Sequence, residues 1–125
     1  TPPQVTERVI DAVAGGAGAV IPVLPVTDTL KTVDASGVVV GTPRRSDMVA
    51  VQTPQGFRWD VLIRAHDEGA SLGVDEARAA TDDAGLVEAI GGTVHTVAGD
   101  ERSMKVTRPL DLALAQILVA EEMGA

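Results

Sequence analysis

Lys105 is the residue of this chain best placed for chemistry on an anion. In the stretch GDERSMKVTRPLDLALAQ, residues 99–116, it sits in a short extended run (104–106) and is followed at once by a proline-started apolar helix. Pro109 has a φ already suited to a first helical turn, where its missing N–H costs nothing. Asp111 falls in that turn, where a carboxylate complements the positive end of the helix. Leu110, Ala113, Leu114, Ile117 and Leu118 recur at helical spacing, which predicts a buried stripe. A strand predicted just upstream, over 94–97, and this helix together bring Lys105 to the mouth of a sheet. A cation held there can meet a phosphate. Taken alone, a strand-end lysine is more often a solvated surface charge.

Other reactive groups are few. The chain has no cysteine, which excludes disulfides, thiol catalysis and zinc–thiolate sites. His66 and His95 lack a spaced partner and read as surface or packed residues. Asp82-Asp83 reads as an acidic first helical turn, not as a magnesium site. A net charge of −8 argues against a general nucleic-acid surface. Local geometry can still hold a small anion among the ten lysines and arginines. No apolar run reaches the length of a membrane span.

At 125 residues the chain is one domain's worth or less. Thr1 is expected to cap a helix with proline in its first turn, presenting Val5, Val9, Ile10 and Val13 on one face and ending at Gly15-Gly16. A strand follows over 19–24, where the valine-rich AVIPVLPV suits a strand buried on both faces, as in a parallel sheet covered by helices. Runs 30–33 and 38–41 flank the turn residues DASG and predict a β-hairpin. A further strand is expected at 50–52. A helix over 58–68 would put Trp59, Leu62, Ile63 and His66 on one face, with 69–80 mostly loop. Thr81 can cap a helix over 82–90 that Gly91-Gly92 stops, and a strand over 93–97 follows. Alternating helices and strands imply an α/β sheet. A lone hairpin is marginal in water, so the arm needs either its own domain or a twin arm to rest on.

PVTDTLK (25–31), VQTPQGF (51–57), TDDAGLVE (81–88) and KVTRPLDLALA (105–115) occur in that order. Together they resemble the C-terminal half of 2-C-methyl-D-erythritol 4-phosphate cytidylyltransferases, enzymes of non-mevalonate isoprenoid synthesis. The resemblance implies part of a Rossmann-like nucleotidyltransferase sandwich with a protruding dimerisation arm at about 27–45. Residues 1–125 would be the C-terminal portion of one cytidylyltransferase domain. The glycine-rich loop that grips CTP in the family would lie in a half this sequence lacks.

In the resembled reaction the 4-phosphate oxygen of methylerythritol phosphate attacks the α-phosphorus of CTP and diphosphate leaves. The attacking oxygen is already ionised near neutral pH, so a site without a reactive His or Cys is reasonable. The protein's work is positioning and electrostatics. By resemblance, Lys105 matches the lysine that holds the sugar phosphate. Arg45, eight residues before the threonine of TPQ, matches an arginine that reaches from the arm into the partner subunit's site. Arg44 is adjacent, and a one-residue slip would exchange the two. Thr29, Thr53 and Thr81 match threonines that touch substrate or shape the pocket. Each also has a plainer reading: turn bonding for Thr29, extended pre-proline geometry for Thr53, a helix cap for Thr81.

The resemblance further implies a cytoplasmic homodimer using Mg²⁺ bound with CTP, with no metal held by this chain, and no nucleic-acid or membrane partner. Alternatives are a cytidylyltransferase of another polyol phosphate, such as ribitol 5-phosphate, or a non-catalytic dimerisation fragment.

Overall fold

The computed structural model describes residues 1–70 and 82–124. Helix α1 (Pro3–Ala14) leads into β1 (Ala19–Pro25). A separate hairpin, β2 (Thr32–Val33) and β3 (Val39–Gly41), follows. A 3-10 turn (Arg45–Asp47), β4 (Val49–Val51), β5 (Gly56–Phe57) and α2 (Trp59–Gly69) come next. Then come α3 (Asp83–Ala89), β6 (His95–Ala98), a second 3-10 turn (Glu101–Ser103) and α4 (Pro109–Gly124).

β1 is the hub. One of its edges carries β4 antiparallel against Val23–Pro25 and then β5 antiparallel against Ala19 and Val20. Its other edge carries β6 in parallel, from Val20↔His95 to Val23↔Ala98. The sheet is therefore mixed, not the parallel sheet that the valine run suggested. Pro22 lies buried in the middle of this central strand, a place proline normally avoids. Its carbonyl accepts from Gln52 N at 2.8 Å, so its missing N–H faces the same edge, at the break between β4 and β5. The proline forgoes only the reciprocal bond to the Gln52 carbonyl, at the end of the β4 ladder.

Alternation along β1 assigns its two faces. Val20 pairs with Gly56, where an added Cβ would run into Val9 and Val13 of α1. Glycine is what lets α1 lie on the sheet. Ala19 faces the other way and packs with Ala65 of α2 and Val87 of α3, with Phe57, Val61 and Leu86 around them. The result is a three-layer α/β arrangement with small residues at the closest approaches.

Several sequence expectations change. Thr1 does not cap α1; Pro2 occupies the cap position, without a side-chain bond. Val5 and Val9 are buried as expected, but Ile10 is exposed. On α2 the buried positions are Ala65 and Gly69; Trp59 is 74% exposed, Ile63 and His66 are exposed and Leu62 is half-buried, so most of the expected face looks outward. Small residues win because α2 lies close against α3: a Cβ on Gly69 would crowd Leu86, and Ala65 packs with Ala19 and Val87. The stripe expected on α4 is also not buried. Leu110, Leu114 and Ile117 are exposed, Ala113 likewise, and Leu118 is half-buried. That helix is apolar on every side, so its periodicity does not single out one face.

The predicted hairpin forms. Asp34 accepts from the backbone N–H of Ser36 (2.9 Å) and Val38 (3.0 Å) and from the Ser36 hydroxyl (2.8 Å), while Gly37 takes a φ of 85°. The Ser36 hydroxyl, then the Val38 amide, hold the Asp34 carboxyl below its ordinary range. Val33, Val38, Val39 and Val40 are all more than half exposed.

Val9 is 3% exposed and meets the sheet at Gly56. Val9→Ala should destabilise the folded protein by about 2 kcal/mol, two methylenes plus a partly relaxed cavity. A lowered urea midpoint at unchanged slope checks this.

Candidate functional site

A cleft of about 600 Å³ opens where the β4–β5 connection faces the segment after β6. Gln52, Thr53 and Gln55 line one side, and Ser103, Met104 and Lys105 the other, with Asp82 at the start of α3. β1 separates the two sides in the sheet, and the cleft joins them beyond it.

Lys105 follows the 3-10 turn one residue after Met104, whose backbone is extended (φ −60°, ψ 143°), and lies in no strand. This matches the extended run expected from the sequence, without ladder pairing. Its ammonium is exposed and forms no ion pair among the described residues. The helix behind it is fixed by Asp111, whose carboxylate accepts from Arg108 N (3.0 Å), Thr107 N (3.2 Å) and the Thr107 hydroxyl (3.0 Å). Asp111 thus reaches back from the first turn to close the amides before it, as the acidic member of a capping box does. Thr107's amide, then its hydroxyl, hold the Asp111 carboxyl below the ordinary range.

Thr53 is exposed at the cleft and precedes a cis Pro54. Thr81 lies outside the described residues. Its neighbour Asp82 occupies the cap position of α3: Asp82 Oδ1 accepts from Gly85 N at 2.7 Å and Oδ2 from Gln55 Nε2 at 2.8 Å. That carboxylate is thereby occupied by donors. Asp83 pairs instead with His66 Nε2 at 3.0 Å, across to α2.

Arg45 and Thr29 do not join this cleft. Arg45 opens the first 3-10 turn, with Arg44 before it, and its guanidinium donates to the Thr27 carbonyl at 3.0 Å. Thr29 is exposed in the segment between β1 and the hairpin. The chain therefore brings Thr53 and Lys105 together and leaves Arg45 at the base of the hairpin. Sequence reasoning missed Gln52, Gln55, Asp82 and Ser103 as cleft residues. The only available signal was polar side chains flanking Thr53-Pro54 at a strand end. Ser103 Oγ is buried without a hydrogen-bond partner among the described residues.

Residues 1–121 match the family described as 2-C-methyl-D-erythritol 4-phosphate cytidylyltransferase. The chain belongs to that family. It is 53% identical over 121 residues to the 2-C-methyl-D-erythritol 4-phosphate cytidylyltransferase of Rhodococcus jostii (strain RHA1), covering 97% of this chain and 50% of the relative. The Nocardia farcinica (strain IFM 10152) enzyme of that name is 51% identical over 119 residues, 95% of this chain and 48% of the relative. The chain thus spans about half the length of the curated relatives it matches. The crystal structure of the cytidylyltransferase from Thermus thermophilus superposes with a TM-score of 0.76 at 37% identity, over 95% of this chain and 56% of that one. Family membership covers all the residues that line the cleft, and it agrees with the α/β fold expected from the motifs.

Asp111→Asn should isolate the charged part of the α4 cap. A carboxyl with a depressed folded pKa stabilises above its unfolded value of about 3.9 and loses that contribution as pH falls through the folded value. The melting temperature of Asp111→Asn should therefore lie below wild type near pH 7, and the gap should close below about pH 4. A gap independent of pH would assign the loss to shape alone.

Proposed function

We propose that this chain is the C-terminal portion of a cytidylyltransferase domain. The complete protein joins CTP to 2-C-methyl-D-erythritol 4-phosphate, releasing diphosphate. The observation that carries this reading is the shared cleft of Lys105 and Thr53, in a chain of this family. Lys105 takes the acceptor phosphate as an exposed cation on a segment held at both ends, and Thr53 adds a hydroxyl that can donate to phosphate or accept from a sugar hydroxyl. The resemblance assigns substrate contacts to Thr29 and Thr81 as well; Thr29 stands outside this cleft in its own chain, and Thr81 lies outside the described residues. The acceptor phosphate is largely dianionic near neutral pH, so it needs orientation and charge compensation, not a general base.

Mg²⁺ accompanies CTP in this proposal. Among the described residues there is no group of three or more His, Asp or Glu side chains able to hold a metal ion, and in the proposal the nucleotide phosphates carry the Mg²⁺. No helix of the described residues is long and apolar enough to cross a membrane. A cytoplasmic location belongs to the proposal.

The homodimer is also proposed, through the arm at about 27–45. Its support is the hairpin's row of exposed valines, which two strands alone leave uncovered. Arg45 would then act in the partner's cleft, which accounts for its distance from the cleft of its own chain.

In the full-length enzyme, Lys105→Ala should reduce turnover of the acceptor phosphate about a hundredfold, ~3 kcal/mol of transition-state stabilisation, while CTP affinity changes far less. Steady-state kinetics with each substrate varied in turn measures both, and the polyol phosphate preferred by wild type separates methylerythritol phosphate from ribitol 5-phosphate.

Mixing separately inactive Arg45→Ala and Lys105→Ala enzymes tests the shared site. Random exchange makes about half the dimers mixed, each with one site free of both changes, so activity should recover to about a quarter of wild type. Confirmed exchange with no recovery would place Arg45's role within its own chain.

A further inference from the structure

The two sides of the cleft belong to strands that never touch in the sheet. β4 pairs with one edge of β1 and β6 with the other. Neighbouring strands lie about 4.8 Å apart, so the chain ends that leave β4 and β6 start about two strand spacings from each other. Ladder hydrogen bonds join each of them to β1, but none joins them to one another. Gln52 makes that connection. Its Nε2 donates to the Asp100 carbonyl at 2.9 Å, and its Oε1 accepts from the Asp100 N–H at 3.0 Å. Both ends of the carboxamide are used on one residue's backbone, as a rung of a β-ladder would use it.

Three features make this clasp specific. Gly99 lies beneath the amide, and a Cβ there would collide with Gln52 Oε1. Gly99 is itself held by its N–H donating to the Val23 carbonyl at 2.8 Å, while Arg8 Nε from α1 donates to the Ala98 carbonyl at 2.8 Å. The Asp100 carbonyl that receives Gln52 also accepts from Ser103 N at 2.9 Å, closing the 3-10 turn, and Asp100 Oδ1 caps that turn through Arg102 N at 2.8 Å. The residue that starts the turn before Lys105 is therefore the one Gln52 grips. On the near side, the residue after Gln52 is Thr53.

We infer that Gln52 is a positioning residue: its carboxamide fixes the separation of Thr53 and Lys105 across the cleft, and so the seat of the acceptor phosphate between them. It touches no reacting atom. A leucine of similar size leaves the strand but removes both bonds, and Lys105 then samples positions too far from a bound phosphate to compensate its charge in the transition state. Small misplacements of such a group carry large rate losses. The inference rests on the cytidylyltransferase reading of the cleft.

The experiment uses the full-length enzyme with CTP and methylerythritol phosphate. Gln52→Leu should lower kcat/KM for the acceptor phosphate about tenfold, with the KM for CTP unchanged. Gln52→Glu keeps the acceptor for the Asp100 N–H and loses the donor, so it should fall between wild type and Gln52→Leu. In a Lys105→Ala background, Gln52→Leu should cost no further activity, because the group it positions is gone; independent effects would instead multiply. Thermal unfolding verifies that each variant is folded at the assay temperature. Should Gln52→Leu not fold, Gly99→Ala displaces the same amide and takes its place in the cycle. Unchanged kinetics, equal losses on both substrates, or multiplicative losses in the double variant would overturn the positioning role while leaving the enzyme reading intact. A wild-type enzyme without cytidylyl transfer would overturn both.

Discussion

Every strand of the main sheet is anchored to β1, and the geometry of the site follows from that constraint. A strand paired along both edges cannot shift register without turning its side chains to the wrong layer. Ala19 and Val20 are both fully buried, on opposite faces, so a one-residue slip would exchange the residues packed against α1 and against α2 and α3. Pro22 adds a second lock. It sits where the β4 ladder ends, opposite Gln52, so that only one bond of the ladder is given up. Thr53 follows directly, in the break between β4 and β5 and at the cleft.

The far side of the cleft depends on β1 less directly. β6 ends at Ala98, and the chain then leaves the sheet through Gly99 and Asp100 into a short turn before Lys105. Such a turn has little apolar material to hold it, so its position rests on polar bonds: Arg8 from α1, Gln52 from the end of β4 and the Asp100 side chain within the turn. Downstream, Asp111 closes the start of α4. Lys105 is an exposed cation whose backbone is held from both directions. That combination suits a charge which must be available to a ligand without wandering.

Charge is used sparingly. The chain is acidic overall, yet the cleft sets its one lysine opposite neutral amides and a hydroxyl, and the Asp82 carboxylate there is turned onto Gln55 and Gly85. Net charge therefore says little about what the cleft accepts. Arg45 gives one guanidinium bond to the Thr27 carbonyl at the hairpin base. The exposed valines of the hairpin and the apolar α4 mark surfaces that this stretch of chain does not cover by itself.

Local chemistry was legible in the sequence. Pro109 starting α4, Gly15 and Gly16 ending α1, Gly37 in the hairpin turn and Gly91 after α3 act through their own backbone preferences, and the elements they bound form nearly where the sequence puts them. Four ordered motifs were likewise enough to point to the family, since they carry residue identities and spacing. Tertiary structure decided which faces are buried. Trp59 and Ile63 look outward on α2 because Ala65 and Gly69 permit the close approach, and helical spacing alone cannot weigh size against hydrophobicity. It also decided partners. Thr53 and Lys105 are 52 positions apart in the chain and meet only because β1 lies between their strands. Gln52 and Asp100 pair for the same reason. Periodicity and turn preference are properties of neighbours along the chain, whereas a clasp between distant residues exists only once the sheet has set their positions in space.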